Sequence, residues 1–477
     1  MKKTMFFLAL ILISYSCKRT TSDLSDTKKI EDIFSNLKQQ PEKLASFFKI
    51  MPKGGDIHHH ASGSPYAEYY INNALKDSCY IDTTNYQLYP NSYKTAKHKN
   101  KVTVLLNDLL QRNPNEKDSL INYWSVRNYK KYNRNAHYWF FNTFLKFGPA
   151  FIGHEAEMLT ILCLKAKKDK VSYLETIIRV QNIQDSIAEI AAKNSSFKNE
   201  KKDATLLSNW YAYFEENNIS NLARVNADSL DSYMSKTDRH GVTLKFQTYA
   251  LRLLPNQAEI FGQLIVAFKT AELTPNLVGV NFVAPEDNKN ALENFDFHMQ
   301  MFQFLKKKHP TVNISLHAGE LTLGKGDVKK SDLTTHIYES IFTAKATRIG
   351  HGVDLLSETN KTSILKIMKD KGIAVEINLK SNETILGTSK SNHPLRTYLE
   401  YGVPVCISSD DEGVLRTSLT EQYSLLVEYY PEITFLELKE IVFNSITYSF
   451  LDKNKKQKLL NTLKIDFKEF ENNLITP

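Results

Sequence analysis

Met51-Pro52-Lys53-Gly54-Gly55-Asp56-Ile57-His58-His59-His60 (MPKGGDIHHH) ends in three consecutive histidines. On a β-strand, residues i and i+2 face the same side. His58 and His60 therefore point together, and His59 points away. Two imidazoles on one face can grip one divalent metal ion. Taken alone, the triplet reads equally well as a histidine run on a solvated surface.

Three later segments decide between these readings. They are His317-Ala318-Gly319-Glu320, Arg348-Ile349-Gly350-His351-Gly352 and Ser408-Ser409-Asp410-Asp411. Each follows a short apolar run: VNISL over 312–316, Thr347 to Ile349, and VPVCIS over 403–408. Strands that end in His, Glu or Asp, repeated along an α/β chain, describe a (β/α)8 TIM barrel with its site at the C-terminal face. The remaining strands read as Val171 to Glu175, Leu244 to Ala250, Leu277 to Val283 and Ile373 to Ile377. Helical patterns fall between them, as at Asn290 to Lys308 and Lys361 to Lys371, and Leu436 to Phe450 reads as a closing helix.

These segments resemble the adenosine deaminase branch of the metal-dependent hydrolases, and within it the secreted growth-factor-type adenosine deaminases. MPKGGDIHHH is similar to that group's opening motif, and HAGE, RIGHG and SSDD to its other signature blocks. The likeness runs from about residue 50 to the end and includes Asn392-His393-Pro394 and Asn444-Ser445-Ile446. It implies one zinc ion per chain, held by His58, His60, His317 and Asp410, with a place left for water. Zinc lowers the pKa of bound water towards neutrality. By the same resemblance, Glu320 would protonate purine nitrogen 1, for which its carboxyl must be neutral near pH 7. His351 would orient the water and take its proton. Asp411 would hydrogen-bond the attacking hydroxide and nitrogen 7. Many wider relatives hold two metals bridged by a carbamylated lysine at the end of strand four. The segment from Asn281 to Glu286 has no lysine, and Lys245 and Lys289 are poorly placed, which argues for a single metal.

The departures concern the substrate. Relatives carry an acidic ribose contact after the two ligand histidines, where this chain has Ala61-Ser62-Gly63. Ala284 stands where a glycine gives its backbone N–H to the purine, and alanine has a narrower choice of backbone conformations. Asn142 stands where the secreted group has a carboxylate for a sugar hydroxyl. The implied activity is deamination of a 6-aminopurine nucleoside, with Ser62, Gly63, Asn142, Ala284 and Asp411 lining the substrate. The alternatives are a deaminase of another adenine derivative, or a non-catalytic zinc-containing binding or signalling protein.

The N-terminus speaks to compartment. Met1-Lys2-Lys3 is basic, Phe6 to Ile13 is apolar and too short to span a bilayer, and Ser14-Tyr15-Ser16-Cys17 follows. Residues 1–17 read as a signal peptide of lipoprotein type. Cys17 is the lipidation candidate, and the membrane is a partner through this anchor only. A plain signal peptide and a secreted protein is the other reading. Residues 18–50 read as a tether and an N-terminal helix, with 18 to about 28 a flexible polar tether. The barrel then takes 51–477, and its surplus over a typical ~250-residue barrel is placed in insertions and extra terminal helices, the largest candidate being an insertion after strand one at about 75–135. Lys193 to Asp203 reads as a loop.

Charge is mildly basic, with 61 Lys+Arg against 53 Asp+Glu, and the lysines are dispersed. No nucleic-acid motif is present, so a nucleic-acid partner is not expected. Self-association as a homodimer stays open. Once Cys17 is set aside, Cys79, Cys163 and Cys406 remain, an odd count that describes no disulfide framework. Cys163 and Cys406 read as core thiols.

Overall fold

A computed structural model describes residues 21–92, 103–132, 134–193 and 201–476. Eleven strands are present among them. β1 (Gly54–His60) is followed by three short strands, β2 (Tyr80–Asp82), β3 (Leu88–Tyr89) and β4 (Thr103–Leu105). Then come β5 (Val171–Ile177), β6 (Thr243–Leu251), β7 (Leu277–Val283), β8 (Ser315–Ala318), β9 (Arg348–His351), β10 (Ala374–Ile377) and β11 (Val405–Ile407).

β1-β5-β6-β7 form one parallel sheet, and β8-β9-β10-β11 form another. Two bridges join them, Val280 with Ile314 and His59 with Asp410. The eight parallel strands thus close into a barrel, the (β/α)8 architecture expected. Covered on both faces, the strands carry near-continuous apolar runs such as LVGVNFV in β7, as buried parallel strands do.

The barrel interior carries a polar layer as well as the usual branched aliphatics. Glu175, Gln247, Asn281, Arg348 and Glu376 are all essentially inaccessible. The Arg348 guanidinium pairs with Glu175 and lies 2.6 Å from Glu376 by its Nε, with its flat face over the Phe450 ring at 3.7 Å. Paired charges of this kind offset a large desolvation cost only while every partner is present.

Several expectations are revised. The stretch 18 to about 28 is not wholly a flexible tether, because a helix runs Thr21–Leu37. It is held by a cluster in which Phe34 meets Phe47 and Phe435, and Phe47 meets Phe470. Glu31 also accepts from the Phe435 amide at 3.0 Å. Within 75–135, β2, β3 and β4 form an antiparallel sheet flanked by helices Leu106–Arg112 and Glu116–Tyr123. Helices Asn182–Lys193, Ala204–Glu216 and Ile219–Lys236 add a second insertion, in the connection from β5 to β6. Of the loop expected at Lys193 to Asp203, Lys193 closes a helix, Asp203 caps the next, and 194–200 lie outside the described residues. The helix expected over 290–308 is two, Lys289–Glu293 and Phe295–Lys308. They divide at Asn294, whose amide turns back to the Asn290 carbonyl at 2.8 Å. Cys79, Cys163 and Cys406 are buried free thiols, and Cys17 lies outside the described residues.

Replacing Arg348 with Leu leaves Glu175 and Glu376 as uncompensated buried carboxylates. We expect a loss of about 3–5 kcal/mol of stability, read as a lowered midpoint in chemical denaturation. A midpoint within error of the parent would show that the pair contributes nothing.

Candidate metal and acid–base site at the barrel mouth

The C-terminal ends of β1, β8, β9 and β11 bring four separate motifs together. His58 and His60 sit on one face of β1. Next to them, the chain after β11 is tied back by paired backbone bonds, Asp410 N–H to the His58 carbonyl at 3.0 Å and His60 N–H to the Asp410 carbonyl at 3.1 Å. Ser409 Oγ also donates to Asp56 on β1 at 2.5 Å. Asp410 itself has φ +61° and His351 has φ +67°, a left-handed backbone that non-glycine residues rarely adopt. This twist at the strand ends turns both side chains into the mouth.

The donor atoms converge. His60 Nε2 lies 3.2 Å from His317 Nε2 and 3.3 Å from Asp410 Oδ1. His58 Nε2 lies 3.8 Å from Asp410 Oδ1. Ligands at roughly 2.1 Å from a tetrahedral zinc stand roughly 3.4 Å apart, so these spacings fit a shared ion. His351 adds a further nitrogen, within 4.8 Å of those of His58 and His317. His59 points elsewhere, with its Nδ1 2.9 Å from Thr176 Oγ1.

The proton positions support the same reading. His58 Nδ1 faces Glu376 Oε2 at 2.6 Å, and His317 Nδ1 faces Asn281 Oδ1 at 2.8 Å. Each therefore carries its hydrogen on Nδ1 and turns a lone pair inward from Nε2. His58 Nε2 is buried and has no hydrogen-bond partner. Lone pairs crowded at 3.2–3.8 Å, in a buried place, suit a cation. Burial and neighbouring imidazoles hold His317 well below the usual histidine range, and burial holds His60 down to about 4. Burial opposes a charge on His58 too, but Glu376 outweighs it and makes this imidazole the most basic of the three. Burial alone would raise Asp410, yet the surrounding imidazoles bring it down to about 2. A set of three imidazole nitrogens and one carboxylate is a zinc-type donor set.

Two more carboxyls border the cluster. Burial, reinforced by Asp410, holds Glu320 well above the usual carboxylate range. Its N–H and that of Gly319 donate to Glu286, which is itself held by His336 Nδ1 at 2.6 Å. Asp411 is likewise pushed up by burial and by Asp410, and its Oδ1 is buried without a partner. Gly63 makes room for it, since a Cβ there would stand 1.5 Å from Asp411 Oδ1. His351 Nδ1 lies 3.7 Å from Glu320 Oε1, beyond hydrogen-bond reach.

The other residues read as substrate contacts are less gathered. Ser62 gives its carbonyl to Tyr70 Oη at 2.6 Å. Ala284 follows β7 with φ +84°, the conformation glycine takes freely, and its carbonyl accepts from Arg252 Nε at 2.7 Å. Asn142 is not drawn to the cluster by its hydrogen bond, which returns to the Tyr138 carbonyl of its own helix, Ala136–Phe147, at 2.7 Å. Lys245 sits on the Pro275 carbonyl, and Lys289 is exposed beside Glu293.

Comparison with known proteins places this geometry. The family model described as adenosine deaminase matches residues 222–465, just over half of the sequence. The chain belongs to the adenosine deaminase family. His58 and His60 lie outside the matched stretch, and barrel closure brings them to it. Adenosine deaminase of Clostridium perfringens is 28% identical over 193 residues, 40% of this chain and 54% of that protein. Adenosine deaminase of Enterococcus faecalis is 31% identical over 157 residues, 33% of this chain and 42% of that one. The chain thus spans about half or less of the length of the curated relatives it matches. Among solved structures, Arabidopsis ADAL complexed with IMP superimposes with TM-score 0.55 at 16% identity, over 90% of this chain and 99% of that one. An adenine deaminase from Arthrobacter aurescens gives 0.53 at 16% identity, over 87% and 99%. An amidohydrolase from Burkhoderia ambifaria with bound Zn gives 0.54 at 11% identity, over 91% and 95%. These likenesses establish the shared fold.

Sequence reasoning passed over Glu376, Asn281 as a side-chain partner, Asn382 and His393. Glu376 left one signal, a charged residue inside the apolar run IAVEI.

We expect one zinc per chain by elemental analysis. Alanine at His58, His60, His317 or Asp410 should remove it, whereas His59→Ala should keep it. Two metals per chain, or full zinc in the His317→Ala variant, would refute the assignment.

Proposed function

We propose that the protein hydrolytically deaminates a 6-aminopurine nucleoside, with adenosine and 2′-deoxyadenosine the leading substrates. The observation that carries this is the buried Glu320 carboxyl, held well above its ordinary range by burial and by Asp410, beside a cluster of imidazoles and a carboxylate that could hold a metal ion. A nitrogen heterocycle accepts a nucleophile at the amino-bearing carbon only if the ring takes up the electrons, and a proton delivered to ring nitrogen 1 makes that possible. A carboxyl that keeps its proton at neutral pH is suited to deliver it.

A zinc ion in this site supplies Lewis-acid activation and brings the acidity of a water molecule towards neutral pH. Glu320 gives its proton to nitrogen 1, where it remains in the product. The two protons of the attacking water are shared between the departing amine, which leaves as ammonia, and Glu320, which is restored. Asp411 hydrogen-bonds the purine edge, and Gly63 sets how closely its carboxyl can approach. Ser62, Asn142 and Ala284 border the sugar and the far edge of the base, and their chemistry supports weaker ribose discrimination than a carboxylate would give. Exchanging a charged contact for a neutral one costs about 1–2 kcal/mol. Deamination of a free base or a nucleotide is the second reading, and the fold shared with an adenine deaminase and with ADAL keeps it in the substrate panel.

Ammonia release from adenosine, 2′-deoxyadenosine, adenine and AMP tests the reading. We expect turnover of the nucleosides and a loss of about 100- to 10,000-fold in Glu320→Gln, with zinc retained. The acid form is the active one, so activity should hold through neutral pH and fall on the alkaline side as Glu320 ionises. Turnover confined to AMP or adenine would overturn the substrate, and a Glu320→Gln variant within a few-fold of the parent would remove Glu320 from the chemistry.

We further propose export as a lipoprotein of the growth-factor-like secreted type, anchored through Cys17. The support is the basic start, the short apolar run from Phe6 to Ile13 and the small Ser16 before Cys17. Cys17→Ser should release the protein from the membrane fraction. Continued membrane association of that variant would count against the anchor.

A further inference from the structure

His351 is held from behind by a hydrogen-bond chain with a fixed direction. At its far end, the Leu395 backbone N–H donates to His393 Nδ1 at 3.2 Å. A backbone amide can only donate, so this nitrogen must carry a lone pair. A neutral imidazole bears one hydrogen, so the hydrogen of His393 is on Nε2. His393 Nε2 lies 3.0 Å from Asn382 Oδ1, which accepts it. The other end of the same amide, Asn382 Nδ2, is 2.9 Å from His351 Nδ1 and donates there. Each link admits only one polarity once the first is set. All three side chains are fully or almost fully buried, so water does not compete. Burial brings His393 down to about 3 and keeps it neutral.

From this we infer that Asn382 and His393 are positioning residues that relay the polarity of the Leu395 amide and fix His351 in one tautomer, with Nδ1 bare and the hydrogen on Nε2. That hydrogen faces the metal cluster, where Nε2 lies 4.0 Å from Asp410 Oδ2 and has no hydrogen-bond partner in the protein. In this form Nε2 has a hydrogen to give and no lone pair to offer. The expected proton transfer to His351 is replaced by hydrogen-bond donation to the attacking oxygen. This last step rests on the deaminase reading, whereas the tautomer does not.

The backbone explains why the relay is reliable. Asn382 opens a π-helical turn, Asn382–Leu386, just after β10. Its own N–H is bonded to the Asn378 carbonyl at 2.9 Å, and its carbonyl accepts from Thr388 at 3.1 Å. His393 precedes Pro394 and the helix Leu395–Glu400, so the donating amide is one of the free N–H groups of a helix start. Nothing in the chain can rotate without losing a buried hydrogen bond.

The test uses zinc-loaded protein with 15N-labelled histidine. The His351 signal is assigned by its loss in His351→Asn, and the NMR shifts report which ring nitrogen is protonated. We expect an unprotonated Nδ1 in the parent. Asn382→Asp offers an acceptor to both neighbours, so it should place a hydrogen on His351 Nδ1. A parent with protonated Nδ1, or an Asn382→Asp variant with Nδ1 still bare, overturns the relay whether or not any substrate is turned over. In kinetics on whichever 6-aminopurine is deaminated, His393→Leu should lower kcat by about 10- to 100-fold, the usual effect of an outer partner at a metal site. KM and zinc content should change little. His393→Gln, whose amide can still donate to Asn382, should recover most of the loss. His393→Leu with kcat within twofold of the parent and zinc retained would equally overturn it.

Discussion

His58 and His317 are joined through the barrel interior by an unbroken run of polar side chains that includes the Arg348 guanidinium. From His58 it passes through Glu376, Arg348, Glu175, Gln247 and Asn281 to His317. Each member comes from a different strand of the barrel apart from the two ligands' own, β1 and β8. The run therefore depends on closure of the barrel, and the orientation of both metal-facing rings depends on the run. An outer partner that holds Nδ1–H fixes which nitrogen is presented to a metal and how basic it is. Such a network orients its members only when every group is satisfied, because a half-paired buried charge costs more than an apolar substitute. Glycine at 350 belongs to the same constraint. A Cβ there would come within 2.6 Å of the His58 ring, so β9 must be bare where that ring stands.

Strand ends do the second part of the work. His351, Asp410 and Ala284 all lie just at or past the C-terminal end of a barrel strand with positive φ. For non-glycine residues this conformation is unfavourable by about 1–2 kcal/mol each, and it persists because hydrogen bonds on both sides determine it. At Asp410 these are the reciprocal backbone bonds with His58 and His60. At Ala284 it is the Arg252 guanidinium on the carbonyl. The strain is placed where a side chain or a backbone N–H has to be turned towards the mouth.

Much of this was legible in the sequence, and the remainder failed for identifiable reasons. β7 coincides with its expected limits of Leu277 to Val283, and the helix Lys361–Lys371 does too. Both are long enough for their pattern to show. The candidate ligands stood out because His and Asp at the end of an apolar run are rare without a purpose. Glu376, Gln247 and Asn281 did not stand out. In a parallel strand buried on both faces, alternation does not distinguish the barrel interior from its outside, so a polar residue there has no signature until the strands are closed. β2, β3 and β4 are two or three residues long, too short to carry a period. An N-terminal helix is expected within 18–50, but the start of Thr21–Leu37 reads as tether because its apolar contacts, Ile30, Phe34 and Leu37, all lie in its second half. Its partners, near Phe435 and Phe470, are some 400 residues away.

Formal charge gives an independent argument for a divalent ion. In the interior run, Glu175 and Glu376 oppose one guanidinium, leaving a single net negative charge; burial opposes the charge on Glu376, but Arg348 and His58 outweigh it and hold this carboxyl below its ordinary range. Asp410 adds one more. His60 and His317 are held neutral by burial, and Glu320 keeps its proton. Two negative charges thus remain, or one where His58, made more basic by Glu376, holds a proton, in a region almost without solvent, which a protein of low internal dielectric tolerates poorly. The convergent nitrogens of His58, His60 and His317 are where a compensating positive charge can be held. A doubly charged cation there brings the sum to zero, whereas a proton shared among the imidazoles supplies only half of what is needed. The same balance accounts for Asn281. A carboxylate in its place would orient His317 equally well, but it would add a third negative charge that the ion could not offset.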